Sequence, residues 1–354
     1  MIISRTPYRI SFFGGGTDYP VWYRKHGGAV LSATIDKYCY LSCRYLPPFF
    51  EHRIRVVYSK IETCQKVSEV AHPAVREVLT YLNVERGIEI HHDGDLPARS
   101  GMGSSSAFTV GLLHALHGLH GRMPSKDQLA QESICIEQDR LREKVGSQDQ
   151  VQAAYGGLNY ITFGNNGRIS VKPMTLKPER IEELNAHLML FYTGIQRTAS
   201  EVADTYVNDM EARKEELSLL RDMVDRGVDL RGGSKNMRQF GELLAETWTI
   251  KKRFSQRVTN SRIDEIYLEA VNAGAIGGKL MGAGGGGFMM LFVPPSKQAE
   301  VRAGLKNLIC VPFEFEFSGS QIIFFDLEKD YSAEDRARAG QPAPVFRELK
   351  QQED

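Results

Sequence analysis

Apolar positions recur along this chain with two periods, and the period switches several times. Ala29 to Tyr45 and Arg53 to Tyr58 are rich in β-branched and aromatic residues and predict strands; Gly87 to His91 alternates apolar with polar and predicts a short third one. From Ala107 to Leu119 the apolar residues fall at helical spacing, directly after three serines. Ser125 to Arg142 reads as a second helix, with Ser125 placed to cap it and Gln128 three residues on. Leu158 to Phe163 and Ile169 to Met174 flank Gly164-Asn-Asn-Gly167 and predict a hairpin. A boundary falls near residue 180, beside Pro178. Beyond it, His187 to Tyr192 predicts a strand. Ala199 to Val228 and Asn236 to Phe254 predict long amphipathic helices, and Arg262 to Ala273 a helix ended by Gly274. Phe288 to Val293, Val311 to Phe317 and Gln321 to Phe325 predict strands. This order fits α+β domains better than a strict βαβ series. The expected division is 1–180 and 181–327, followed by a polar tail at 328–354. No repeat of solenoid length interrupts it.

Composition narrows the class. A chain of 354 residues, 42% hydrophobic and 25% charged, has the make-up of an ordinary soluble globular protein and room for two domains. Lysine plus arginine balance aspartate plus glutamate at 44 each, so no electrostatic footprint for nucleic acid or an anionic membrane is present. Cys39, Cys43, Cys64, Cys135 and Cys310 are scattered, odd in number and without a Cys-x-x-Cys pair. They fit reduced thiols better than zinc ligands or a disulfide framework, and point to the cytoplasm. The first residues, with Arg5 and Arg9 and no long apolar run, do not read as a signal peptide, and no stretch has the length and apolarity of a membrane span.

Three glycine-rich stretches are the candidate chemistry. The middle one is Leu96-Pro-Ala-Arg-Ser-Gly-Met-Gly-Ser-Ser-Ser-Ala107, between a strand and a helix. Amides at a helix N-terminus face an anion with the helix dipole behind them; glycines let the backbone approach phosphate oxygens, and serine hydroxyls reach phosphate or magnesium. A plain serine-capped helix is the alternative. This is not a Walker A loop, because no Gly-x-x-x-x-Gly-Lys-Ser/Thr occurs. The third stretch, Lys279-Leu-Met-Gly-Ala-Gly-Gly-Gly-Gly-Phe288, formally contains Gly-x-Gly-x-x-Gly. It sits between an expected helix and an expected strand, the reverse of a dinucleotide fingerprint. It reads as a tight connection that could press against a nucleotide loop. The first, Phe12-Phe-Gly-Gly-Gly-Thr-Asp-Tyr19, reads equally as a turn or a ligand site.

Together, Pro7 to Tyr19, Pro97 to Ala107 and Lys279 to Gly287 resemble, in order and spacing, the three signature segments of the GHMP kinase superfamily. The resemblance runs over residues 1 to about 327. Within the superfamily, Gly-Gly-Gly-Thr-Asp most resembles the D-glycero-D-manno-heptose 7-phosphate kinases, which phosphorylate the anomeric O1 to the 1,7-bisphosphate, a precursor of nucleotide-activated heptose. The resemblance implies a two-domain α+β fold, with an N-terminal domain like ribosomal protein S5 domain 2, a ferredoxin-like C-terminal domain and the active site in the cleft between them. It implies ATP and Mg2+ as cofactors, a small sugar phosphate as the other partner, and a monomer or homodimer. It implies that Asp149, in Gly146-Ser-Gln-Asp-Gln150, orients the sugar hydroxyl and accepts its proton, with Arg9 nearby. Pro97, Ser100, Gly101, Gly103, Ser104, Ser105 and Ser106 would bind the nucleotide, and Ser104 and Glu137 the magnesium. Gly15, Gly16, Thr17, Asp18, Gly284, Gly285 and Arg197 would meet the sugar. Galactokinase-like members carry Gly-Glu-His-Thr-Asp where this chain has Gly14-Gly-Gly-Thr-Asp18. Losing that carboxylate is expected to make room for a phosphorylated sugar tail, held by backbone amides and a nearby cation such as Arg197.

Other readings are weaker. A fucose- or galactose-like sugar would suit the same motifs, and so would a kinase-like sugar sensor without turnover. A dinucleotide-dependent dehydrogenase rests on Gly282 to Gly287 alone. His114, His117 and His120 recur along one helix but lack an acidic partner at zinc-site spacing. His91 and His92 point to opposite faces of a strand. Trp22 and Tyr23 read as core.

Overall fold

The structure, a computed structural model, describes residues 1–48, 50, 52–196, 202–229, 237–327, 329 and 331–339. The starts of the helices expected from Ala199 and Asn236, and most of the expected tail, lie outside these residues. The chain first builds a large sheet from β1 (Ile2–Phe13), β2 (Gly28–Tyr45), β3 (Ile54–Val57), β4 (Ile61–Cys64), β5 (Ile88–Gly94), β6 (Leu158–Phe163) and β7 (Ile169–Pro173). It then makes a four-stranded antiparallel sheet from β8 (Leu188–Tyr192), β9 (Gly277–Leu280), β10 (Phe288–Phe292) and β11 (Ile309–Val311), in the order β11-β8-β10-β9. Finally it returns to the first sheet with β12 (Phe315–Glu316), paired to β2, and β13 (Gln321–Phe325), paired to β1. Two strands from the expected second domain thus complete the first sheet.

Most expected elements are present, and the departures have physical causes. β1 is a strand that is not among the expected ones; Pro7 lies inside it, and the pairing with β2 shifts register between Pro7 and Tyr8. β9 was also missed. Its two glycines lower strand propensity, but the helix Arg238–Lys251 packs so closely that a Cβ on Gly277 would overlap the Gly241 carbonyl. The third glycine loop is therefore the connection of a β9–β10 hairpin rather than a helix-to-strand link. The single strand expected over 311–317 is two, because the chain passes from one sheet to the other at Pro312. The helix from Ser125 runs as α-helix over Lys126–Ile134, with the Ser125 hydroxyl capping Gln128 N, and continues as a π-helix over Cys135–Arg140.

Phe240, on the helix Arg238–Lys251, makes edge contacts with Phe12 and Phe13 of β1 at centroid distances of 5.3 and 5.0 Å, and also meets Phe292 of β10 at 5.9 Å. This aromatic cluster joins the two sheets in one core. The join is completed by buried hydrogen bonds to backbone carbonyls. Phe288 N donates to Ser100 O at 3.2 Å, and the buried Lys279 ammonium of β9 donates to Ser11 O and Phe12 O at 2.8 and 3.1 Å.

Gly287 has φ +97°, and a Cβ there would overlap the Ser100 carbonyl. Gly287→Ala is expected to lower the unfolding free energy by about 2 kcal/mol or more. A lower urea midpoint at unchanged slope is the expected result, and an unchanged midpoint would mean that the join is loose.

Candidate active site

A cleft of about 300 Å³ opens where the two sheets meet, walled by the three glycine loops. After β5 the chain turns through Ser100–Gly103 into the helix Ser104–Leu119. Gly103 is left-handed (φ +75°) and no side chain caps the helix. Ser104, Ser105 and Ser106 therefore occupy the first turn instead of preceding it. The amides of residues 101–106 donate to no group among the described residues. Met102 is fully buried and anchors the turn. A run of unsatisfied amides with a 16-residue helix behind it favours an anion.

Asp149 stands beside this turn, in the first turn of the helix Gln148–Tyr155. Arg9 of β1, 4% exposed, grips both its oxygens, with Nε 2.7 Å from Oδ1 and Nη2 2.6 Å from Oδ2, while Nη1 donates to Gly101 O at 2.7 Å. One guanidinium thus ties the carboxylate to the backbone of the Ser100–Gly103 turn. Asp18, also buried, accepts from Gly16 N at 2.9 Å and from Gln148 N at 3.3 Å. Burial pushes its carboxyl above the ordinary range, with a smaller contribution from the Asp149 charge, while the amide hydrogen bonds oppose the rise.

Glu137 is fully buried on the π-helix, yet it lines the cleft. Its Oε2 accepts from Ser106 Oγ at 2.9 Å and Gln150 Nε2 at 2.6 Å; its Oε1 has no partner. Burial, then the nearby Glu143 charge, pushes the Glu137 carboxyl up to about 8. Burial raises Glu143 too. An orphaned carboxylate oxygen beside serine hydroxyls and an anion-favouring turn is a setting that suits Mg2+, which takes one or two carboxylates together with substrate phosphates. Among the described residues no cluster of three His, Cys, Asp or Glu side chains forms a separate metal site.

The cleft brings together Arg9, Gly15, Gly16, Asp18, Gly101, Gly103, Ser104, Ser105, Ser106, Glu137, Asp149 and Gly284. Four expected contacts are not brought to it. Pro97 is exposed outside the cleft. Ser100 is buried behind the loop, where its carbonyl serves Phe288. The Thr17 hydroxyl turns inward, 2.8 Å from both Gly14 O and Ala29 O. The Gly285 amide is held by Val258 O. Arg197 lies outside the described residues. The glycine turn at 14–16 is also a poor phosphate nest, because the Gly16 amide is already taken by the Asp18 carboxylate, which would repel an anion there.

Several cleft residues escaped sequence reasoning: Lys251, Lys279, Glu143 and Tyr206. Lys279 stood in a quoted loop but is a strand residue whose neighbours become visible only in three dimensions. Burial, then the charges of Lys251 and Arg9, holds its ammonium well below the usual lysine range. Lys251 ends an amphipathic helix, where spacing alone suggests a solvent-facing residue. Elsewhere, His117 pairs with Glu132 at 2.6 Å and Trp22 and Tyr23 are buried, as structural residues.

Comparison with known proteins agrees with this architecture. The family model for the GHMP kinases N terminal domain matches residues 66–157, and that for the GHMP kinases C terminal matches 229–308. A D-glycero-alpha-D-manno-heptose 7-phosphate kinase from Campylobacter jejuni is 28% identical over 326 residues, covering 86% of this chain and 93% of the relative. The L-fucokinase/L-fucose-1-P guanylyltransferase of Bacteroides fragilis is 26% identical over 340 residues, 85% of this chain but only 35% of that longer protein. A crystal structure of a D-glycero-D-manno-heptose 1-phosphate kinase from Bacteroides thetaiotaomicron superposes with a TM-score of 0.74 at 24% identity, over 92% of this chain and all of that one. The protein is therefore a phosphotransferase with an alcohol group as acceptor. It carries the N-terminal and C-terminal domains of the GHMP kinases, whose phosphate donor is ATP, in a two-domain α+β fold.

Glu137 gives the ligand-free protein a defined pH response. Its carboxyl titrates near its ordinary 4.5 when unfolded and near 8 when folded, so between those values the native state holds more protons. Stability therefore falls as pH rises through that window, by up to about 1.4 kcal/mol per pH unit from this group. Urea unfolding at stepped pH is expected to show this slope relative to Glu137→Gln, which lacks it. Parallel curves for the two proteins would contradict the burial of the proton.

Proposed function

We propose that the protein transfers the γ-phosphate of MgATP to the anomeric O1 of D-glycero-D-manno-heptose 7-phosphate, giving the 1,7-bisphosphate for nucleotide-activated heptose synthesis. The observation that carries this reading is the junction at Arg9, where one guanidinium holds Asp149 against the free amides of residues 101–106. The heptose acceptor is supported by the relative named above, at modest identity. The five free thiols fit a reducing compartment, and we place the reaction in the cytoplasm.

The amides of residues 101–106 and the helix dipole would cradle the triphosphate. Glu137 and the Ser104 hydroxyl would hold Mg2+, which when bound neutralises charge between the β- and γ-phosphates. Each Asp149 oxygen accepts one hydrogen bond from Arg9 and keeps a second acceptor site. That site would orient the sugar hydroxyl and receive its proton as the new O–P bond forms, the bond to the β-phosphate breaks and ADP leaves. Such transfer depends chiefly on alignment and electrostatics, so a single carboxylate suffices. Tyr206 and Phe254 line the acceptor side, their rings 5.7 Å apart, and offer an apolar surface to a sugar face. A fucose-like acceptor is the second reading, supported by the similarity to the fucokinase.

A coupled ADP-release assay over a sugar panel, with mass-spectrometric product analysis, tests the proposal. Heptose 7-phosphate is expected to give the 1,7-bisphosphate. Asp149→Asn is expected to lower kcat about 10³-fold while ATP binding persists. Turnover restricted to fucose or galactose would select the second reading; no ADP release with any sugar would favour a sensor.

A further inference from the structure

We propose that the wall of the cleft formed by Lys251 and the β9–β10 loop is an anion subsite for a phosphate carried by the acceptor itself. The inference rests on the kinase reading above and adds to it where the acceptor's charged end is held.

In the loop between β9 and β10, the amides of Met281, Gly285 and Gly287 donate to Phe288 O, Val258 O and Ile195 O. Those of Gly282, Ala283, Gly284 and Gly286 donate to no group among the described residues, and all four residues line the cleft. Gly284 and Gly286 are moreover buried, and buried amides without a partner are rare in folded proteins. Clustered amides of this kind form a concavity with partial positive charge. Lys251 adds a full charge to it. The residue is 8% exposed, lines the same cleft and donates to Gly282 O. A buried cation held against a nest of free amides matches the two negative charges and several acceptor oxygens of a phosphate monoester.

The wall packs on the Ser100–Gly103 turn, Gly282 against Gly101, so a phosphate held on it would lie beside those of the donor. The donor phosphates have the amides of 101–106. The first glycine loop presents the Asp18 carboxylate, which repels an anion. Arg9 is held by Asp149, Lys279 by the carbonyls of Ser11 and Phe12, and Arg99, which also lines the cleft, is exposed next to the 101–106 turn of the donor phosphates. With the reacting hydroxyl at Asp149, the hairpin side remains for a negatively charged tail. The implied substrate class is a sugar already phosphorylated away from the hydroxyl that reacts.

Two measurements on the full chain test this. The first is the ratio of kcat/KM for heptose 7-phosphate over free heptose. It is expected to be about 100-fold or more in the wild type and to fall to within about threefold of one in Lys251→Met, with Lys251→Arg restoring part of it. The second is calorimetric titration of heptose 7-phosphate into protein saturated with a non-hydrolysable ATP analogue. Wild type is expected to bind at least tenfold more tightly than Lys251→Met, with matching circular-dichroism melts excluding a folding defect. An unchanged ratio, or a rise in the KM for ATP instead of the acceptor, would overturn the subsite. So would wild-type protein, its donor site filled, that binds the sugar phosphate no better than the free sugar. Binding without turnover would count against the kinase reading and leave the subsite supported.

Discussion

The geometry of the cleft depends on one side chain, Arg9. Its guanidinium is planar and has donors on two edges, so it can hold the carboxylate of Asp149 with one edge and the Gly101 carbonyl with the remaining nitrogen. A lysine, as a single point of charge, could not set two groups at once in fixed orientation. The backbone of Arg9 also donates to Met102 O, so strand and loop are joined twice. Because Arg9 lies in β1, paired with Thr34 of β2, the spacing between the carboxylate and the Ser100–Gly103 turn is set by the large sheet.

Around that junction the cleft balances buried charges of both signs. Asp18, Glu137 and Glu143 are all raised by burial, and Lys279 is lowered by it. Each group is costly in its charged form until something of opposite sign arrives. The function proposed above would supply both signs: a bound cation would relieve the acids, and phosphate would relieve the lysine and the free amides. The π-helix over Cys135–Arg140 contributes directly, since one widened turn carries Glu137 to the wall of the cleft.

The glycine loops have two roles that their composition does not distinguish. Some glycines expose amides to the cleft; others permit backbone to touch backbone where the sheets meet. At Ser100 and Gly287 the contact is so close that a side chain would separate the halves. In the turn after β1, glycines leave the Thr17 hydroxyl free to fold back on the main chain, while Asp18 accepts from Gly16 N and still lines the cleft. Residue type alone gives no means of separating these uses.

What was legible in the sequence follows local rules. Apolar periodicity located β2, β5, the hairpin β6–β7 and the helix after the serines, and the spacing of three glycine loops pointed to the kinase family together with Arg9, Asp149 and Glu137. The elements and loops are features in which a few adjacent residues carry their own signal, whereas the three side chains came from the resemblance. The rest depended on contacts between distant segments. β1 has a proline inside it and β9 begins with two glycines, so pairing and helix packing, rather than propensity, make them strands. Lys251 and Lys279 face the cleft because of the sheets around them, and Thr17 and Ser100 turn away from it for the same reason. Local chemistry determined which loops and which charged side chains the chain brings to the cleft. Tertiary packing decided which of their atoms face the ligand, because exposure of a side chain is a property of its neighbours in space.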